Sequence, residues 1–223
     1  MKHRGRGASG ARRRRTAAGR FVVLEGLDGA GTTTQARLLG ERLRAAGRRV
    51  HVTAEPSGGP AGALVRQVLS GRVAGRDGRA FDPRALALLF AADRLDHHAD
   101  EIAPKLAAGV QVISDRYTLS SLAYQGAAFG DMDWVAEINR AAPAPDLTVF
   151  LRVSPRVALP RRRAASLDRE IFEVDGFQRR VAASYERALE ARRAAGDRIV
   201  EVDGALAVDA VAEAIWAAVA ALD

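Results

Sequence analysis

The stretch Gly26-Leu27-Asp28-Gly29-Ala30-Gly31-Thr32-Thr33-Thr34 follows an apolar run, Phe21-Val22-Val23-Leu24, and precedes an amphipathic segment running from Gln35 to Leu43. Strand, glycine-rich loop and helix in that order form a phosphate cradle. The glycines let backbone N–H groups approach phosphate oxygens without a Cβ in the way, and the helix presents its positive N-terminal end. The spacing from Gly26 to Gly31, followed by a hydroxyl at Thr33, is that of a P-loop whose hydroxyl reaches Mg²⁺. One position departs from it. Where a lysine ordinarily bridges the β- and γ-phosphates, the chain carries Thr32, whose short neutral side chain cannot span that gap. A glycine-rich turn of purely structural use is the competing reading, and the rest of the chain weighs against it.

Outward from the loop, strand-like apolar runs alternate with helical periodicity. Candidate strands are 20–25, 50–54, 111–114, 147–152 and 198–202; candidate helices are 33–46, 60–70, 83–108, 134–141, 155–163, 177–195 and 208–222. This alternation predicts an α/β fold of the P-loop NTPase type, in three layers, with a five-stranded parallel sheet and helices on both faces. Residues 20–223 form one domain in this reading. Residues 161–173, where arginines flank A-A-S-L-D-R-E, form a short lid.

Composition narrows the class. With 223 residues a single core suffices, and zero cysteines exclude disulfides and thiolate metal sites, which suits a reducing cytoplasm. No apolar stretch is long enough to span a bilayer, so no membrane partner is expected. The net charge of +7 is concentrated in residues 1–20, which hold eight basic residues and no acid; the other 26 basic residues face 27 acidic ones. Residues 1–19 therefore read as a disordered basic tail without the apolar segment of a secretory signal. It has the charge to bind nucleic acid through counterion release, or it is a solvated extension with no partner. The four histidines, including His97 and His98, show no ligand-like spacing and read as surface or packing residues.

Ligands of parallel sheets lie at the carboxyl ends of the strands, and the chemically informative residues cluster there. Glu55 follows the second strand. Asp115 ends the third, placed like a carboxylate that orients magnesium through water, with the capping of the next turn as the alternative. Arg116 beside it has the planar fork that grips phosphate. Ser121, Tyr124 and Gln125 fall on one side of a helical turn. Phe90 and Arg94 are four apart, so on a helix they share a face, an aromatic ring beside a guanidinium that suits a planar base. Taken singly, a phenylalanine in this position is more often core.

Six segments in order, V-L-E-G-L-D-G-A-G-x-T-T-Q, T-A-E-P-S-G-G, L-L-F-A-A-D-R, S-D-R-Y-T-L-S-S-L-A-Y-Q-G, P-D-L-T-V-F-L-R-V and L-D-R-E, resemble the thymidylate kinase family over about residues 20–222. The resemblance implies transfer of the γ-phosphoryl group of ATP to dTMP with Mg²⁺, in a cytoplasmic homodimer. It implies ATP binding by Gly26, Leu27, Asp28, Gly29, Ala30, Gly31, Thr32, Thr33 and Thr34. For dTMP it implies Asp28 at the 3′-hydroxyl, Phe90 stacked on the base, Arg94 at a base carbonyl, Arg116 at the phosphate, Ser121 and Gln125 near the base, and Tyr124 crowding a ribose 2′-hydroxyl. Thr33, Asp115 and Glu55 would lie at the metal and phosphates. Three departures stand out. The family's T-R-E-P-G-G reads T-A-E-P-S-G, the lid arginines bunch at Arg161, Arg162 and Arg163, and Thr32 replaces the lysine. Arg161, Arg163 or Arg169 are the candidates to supply the missing charge. A nucleotide-binding relative without catalysis and a kinase for another nucleoside monophosphate are the alternatives.

Overall fold

The computed structural model describes residues 18–165 and 175–222; the side chains of residues 162–165 and 175 lie outside the description. Most of the basic tail, and Arg169 with most of the expected lid, therefore fall outside the described residues.

The chain begins with β1 (Phe21–Gly26), whose six residues are all buried, as the middle strand of a sheet covered on both faces requires. The loop leads to α1 (Thr32–Ala45), then β2 (Val50–Ala54), α2 (Pro60–Leu69) and, past a one-turn 3₁₀ helix at Arg76–Gly78, α3 (Pro83–His97). A π-helical turn, His98–Ile102, joins α3 to α4 (Ala103–Ala107). There follow β3 (Gln111–Asp115), α5 (Thr118–Phe129), α6 (Met132–Ile138), β4 (Leu147–Arg152), α7 (Pro155–Ala165), α8 (Asp175–Ala194), β5 (Ile199–Asp203) and α9 (Val208–Ala220). The five strands are all parallel in the order β2-β3-β1-β4-β5. The expected α/β architecture is therefore the observed one.

Successive residues of β1 point to opposite faces. Val22 and Leu24 join the large core with α1, α5, α8 and α9, while Phe21 and Val23 pack with Ile102, Val112 and Tyr117. Leu24 registers with Asp115 of β3 and Gly26 with Leu151 of β4, so the phosphate loop and Asp115 emerge from one edge.

Two expectations need correction. The helix anticipated over 83–108 is interrupted at His98–Ile102. Pro104 has no N–H to give the carbonyl four residues earlier, and its ring would crowd that carbonyl; a wider π turn relieves both. The second correction is α5, which was not anticipated as a continuous helix. It buries Ser121, Tyr124 and Gln125 together with its apolar residues, so it shows little amphipathic period.

Candidate active site

Two cavities open at the carboxyl edge of the sheet, on either side of β1. The first, of about 560 Å³, is lined by the loop from Asp28 to Gln35 together with Arg116, Arg161 and the segment from Gly204 to Val211. Gly31 is the N-cap of α1 at φ 96°, a conformation that a Cβ would strain. Gly26 cannot carry a Cβ either, since one would lie 2.9 Å from the Ala30 Cβ and 3.0 Å from the Leu151 carbonyl. The unpaired N–H groups of the first turn of α1 thus face the cavity with the positive end of the helix behind them.

Thr32 opens α1 and is buried. Thr33 Oγ1 donates to Asp115 Oδ2 at 2.5 Å, and Asp115 Oδ1 is buried without a hydrogen-bond partner. A hydroxyl and a carboxylate with an unused oxygen, beside a phosphate cradle, fit a hydrated divalent cation. Among the described residues no group of three His, Cys, Asp or Glu side chains could hold a metal by itself, so such a cation would depend on phosphate and water for most of its ligands. Arg161, on α7, donates from Nη1 to the Gly204 carbonyl at 2.7 Å and from Nη2 to Ala205 at 3.4 Å, which holds it against the wall of this cavity. Leu206 and Val208 are half exposed on the same wall.

The second cavity, of about 180 Å³, is lined by Asp28, Glu55, Phe90, Arg94, Arg116, Tyr117, Ser121, Tyr124 and Gln125, among others. Asp28 and Arg116 line both cavities, and Arg116 Nη2 lies 2.5 Å from Asp28 Oδ1. Arg116 itself adopts φ 74°, one of two described non-glycine residues with positive φ. The strain is offset by bonds from its Nη1 to the Gly26 carbonyl and Ser120 Oγ, both at 3.0 Å. Its guanidinium lies 5.2 Å from the centre of the Tyr124 ring, and the Tyr124 hydroxyl accepts from the Asp28 N–H at 3.0 Å.

Arg94 is almost completely enclosed. Its Nη2 lies 2.7 Å from Glu55 Oε2 and donates to Ser121 Oγ and the Tyr117 carbonyl, while Nη1 donates to Asn139 Oδ1. Its Nε–H has no partner, and neither has Gln125 Oε1. The cavity is therefore lined by two residues that hold a buried donor and a buried acceptor in reserve, which a ligand must satisfy or the fold bears the cost.

Glu25, next to the last residue of β1, is fully buried. It accepts the N–H groups of Tyr117 and Ser120 at 2.9 and 3.0 Å and the Ser120 hydroxyl at 2.5 Å, so it caps α5 from another element. The Tyr185 hydroxyl, from α8, donates to the Gly26 carbonyl at 3.0 Å. Burial pushes the Glu25 carboxyl up to about 7, against the lowering effect of Ser120, Arg116 and Tyr117.

A sequence model described as thymidylate kinase matches residues 24–215. The chain belongs to the thymidylate kinase family. It is 44% identical over 208 residues to a protein of Thermomicrobium roseum named thymidylate kinase, covering 89% of this chain and 93% of the relative. A probable thymidylate kinase of Pyrobaculum calidifontis is 43% identical over 196 residues, covering 86% and 94%. One of Thermococcus kodakarensis is 43% identical over 172 residues, covering 76% and 84%.

Against the family pattern, the structure gathers the loop residues around one cavity and Asp28, Phe90, Arg94, Arg116, Ser121, Tyr124 and Gln125 around the other. Phe90 lines the cavity and also packs on the Val65, Val68 and Leu86 cluster. Glu55 was expected at the metal; instead its carboxylate lines the second cavity, paired with Arg94, and only its backbone N–H reaches Asp115, at 3.0 Å to the carbonyl. Of the candidate arginines, Arg161 lines the first cavity, whereas the side chain of Arg163 and all of Arg169 lie outside the described residues. Ser57 is held by Asp93, which accepts its N–H at 2.8 Å and its hydroxyl at 2.5 Å.

Sequence reasoning missed Glu25, Asp93, His97, Asn139, Tyr185, Leu206 and Val208. The last two follow β5 closely, so the rule that ligands gather at strand carboxyl ends would have found them. His97, Asn139 and Tyr185 act on residues 42 to 160 positions away, and nothing local announces them.

Proposed function

We propose that the protein transfers the γ-phosphoryl group of ATP to the phosphate of dTMP, giving dTDP. The observation that carries this reading is the unused pair in the smaller cavity. Arg94 Nε–H and Gln125 Oε1 match an edge that offers a carbonyl oxygen beside an N–H, as thymine does at O4 and N3. Cytosine, with an amino group and an unprotonated nitrogen there, would leave both unsatisfied. Phe90 supplies the stacking face. Tyr124, fixed on the Asp28 N–H, crowds a 2′-hydroxyl and favours the deoxy sugar.

Arg116 and Asp28 stand where acceptor and donor meet. Arg116 binds the acceptor phosphate and Asp28 accepts from the 3′-hydroxyl, giving up part of their mutual bond as substrate enters. Transfer between two bound phosphates relies chiefly on positioning and charge stabilisation. Thr33 and Asp115 would hold Mg²⁺, which when bound neutralises charge on the phosphate oxygens of the donor. The charge missing at Thr32 comes from the lid. Arg161 already lines the donor cavity, Arg163 and Arg169 belong to the same segment, and neither lysine is available: Lys105 sits on α4 before β3, at the amino edge of the sheet, and Lys2 lies in the tail. Leu206 and Val208 offer the nucleotide base of the donor an apolar wall. We infer further a cytoplasmic homodimer, and a basic tail dispensable for catalysis that can engage nucleic acid.

The test is ADP formation from ATP, Mg²⁺ and dTMP by the native protein, by Arg161→Ala and by Thr32→Lys. Robust dTMP-dependent turnover is expected from the native protein. A drop of about 10²–10³ in single-turnover rate is expected for Arg161→Ala, with dTMP affinity little changed. Turnover seen only in Thr32→Lys would show a disabled donor loop and reverse the conclusion to nucleotide binding without catalysis.

A further inference from the structure

Arg94 keeps its Nε–H without a protein partner although Glu55 lies against it: Glu55 Oε2 is within ion-pair distance of Nη2 but, like Arg94 Nε, makes no hydrogen bond. A buried carboxylate beside a guanidinium ordinarily takes two parallel N–H bonds, which are stronger and geometrically matched. Here Glu55 Oε2 lies 2.7 Å from Arg94 Nη2, while the other oxygen, Oε1, faces His97 Nδ1 at 3.3 Å. His97 stands three residues after Arg94 on α3, so the two share a face, and it is buried. Its Nε2 lies 2.8 Å from the Thr53 hydroxyl of β2. Where the Thr53 O–H donates to Nε2, the ring proton sits on Nδ1 and faces Glu55; Glu101 competes for the same hydroxyl proton, so the partner that Thr53 takes sets the tautomer. The other titratable groups around the ring are Glu101, 3.9 Å from Nε2 and bonded to His51, and the adjacent His98.

We propose that His97 is a positioning residue for acceptor specificity. By occupying Glu55 Oε1 it prevents the carboxylate from closing onto Arg94 Nε, and so keeps that donor free to read the base. The proposal rests on the assignment of the smaller cavity to dTMP. Without the imidazole, both carboxylate oxygens would be buried and unpaired beside the Arg94 Nε–H, and the carboxylate would turn to close on it. The base-reading donor is then consumed inside the protein. Discrimination by a buried hydrogen bond depends on that group being unpaired without ligand, so its loss reduces selectivity more than it slows phosphoryl transfer.

Leucine and asparagine have nearly the same shape, and asparagine keeps an N–H near the Nδ1 position. The experiment compares kcat and KM for dTMP and dCMP in the native protein, His97→Asn, His97→Leu and Thr53→Val, with thermal unfolding alongside. His97→Leu is expected to raise the KM for dTMP and to lower the dTMP:dCMP ratio of kcat/KM by about tenfold or more, with kcat within about threefold. His97→Asn should retain most of the native ratio, and Thr53→Val should shift it in the same direction by a smaller factor. An unchanged ratio in His97→Leu, or equal losses in His97→Leu and His97→Asn, would overturn the proposal. Should His97→Leu fail to fold, Thr53→Val decides, and an unchanged ratio there overturns it as well. A native protein with no preference for dTMP would instead overturn the assignment of the cavity, and the proposal with it.

Discussion

Glu25 carries a stability signal that can be read against pH. In the unfolded chain its carboxyl ionises near 4.5; in the folded protein burial raises that to about 7. Between those values the native state binds the extra proton, so stability contributed at low pH is lost as pH rises from about 4.5 to about 7 and does not change further above that. The effect is on the order of 3 kcal/mol at most. Glu25→Gln keeps an oxygen for the Tyr117 and Ser120 N–H groups but cannot ionise. Urea unfolding at pH 5 and pH 8 should show a smaller loss of stability in the variant than in the native protein, and an identical loss would place the titration elsewhere.

At the scale of elements, the loop between β2 and α2 is tied to α3 through Asp93, which accepts both the N–H and the hydroxyl of Ser57. Asp93→Ala leaves two buried donors without an acceptor and should cost about 2–4 kcal/mol by denaturant unfolding. Ser57→Gly keeps the N–H bond to Asp93 but removes the hydroxyl that bonds Asp93 and accepts the Gly59 N–H, and should cost about 1–2 kcal/mol, less than Asp93→Ala. The contrast explains what was legible in the chain. The phosphate loop, the strands and Phe90 with Arg94 could be read because each is local, a motif or a periodicity with its chemistry attached. The helix α5 escaped because its polar residues turn inward to the acceptor cavity, which removes the amphipathic signal. The residues that orient Arg94, namely Glu55, Asn139 and Ser121, come from three separate segments. Their bonds exist only once the sheet order is set.

For the whole molecule, Leu64 of α2 and Leu88 and Leu95 of α3 are 37%, 50% and 40% exposed. Leu88 and Leu95 are two turns apart on one face of α3 and Leu64 lies on the neighbouring α2, and in the proposed dimer these exposed side chains are the ones that a second copy would cover. Leu88→Asp with Leu95→Asp should convert a dimer into a folded monomer in sedimentation velocity. A native monomer, or a variant that still dimerises, would put the assembly face elsewhere.

The two cavities have their own walls, one built on β1, β4 and β5, the other on β1, β2 and β3, and only Asp28 and Arg116 belong to both. The molecule is in effect two half-sites hinged on a pair of side chains. Changes to acceptor choice made through Phe90, Arg94 or Gln125 should therefore combine almost additively with changes to the donor side made through Thr32 or Arg161. One half can accordingly be altered, at position 32 for example, without disturbing the walls of the other.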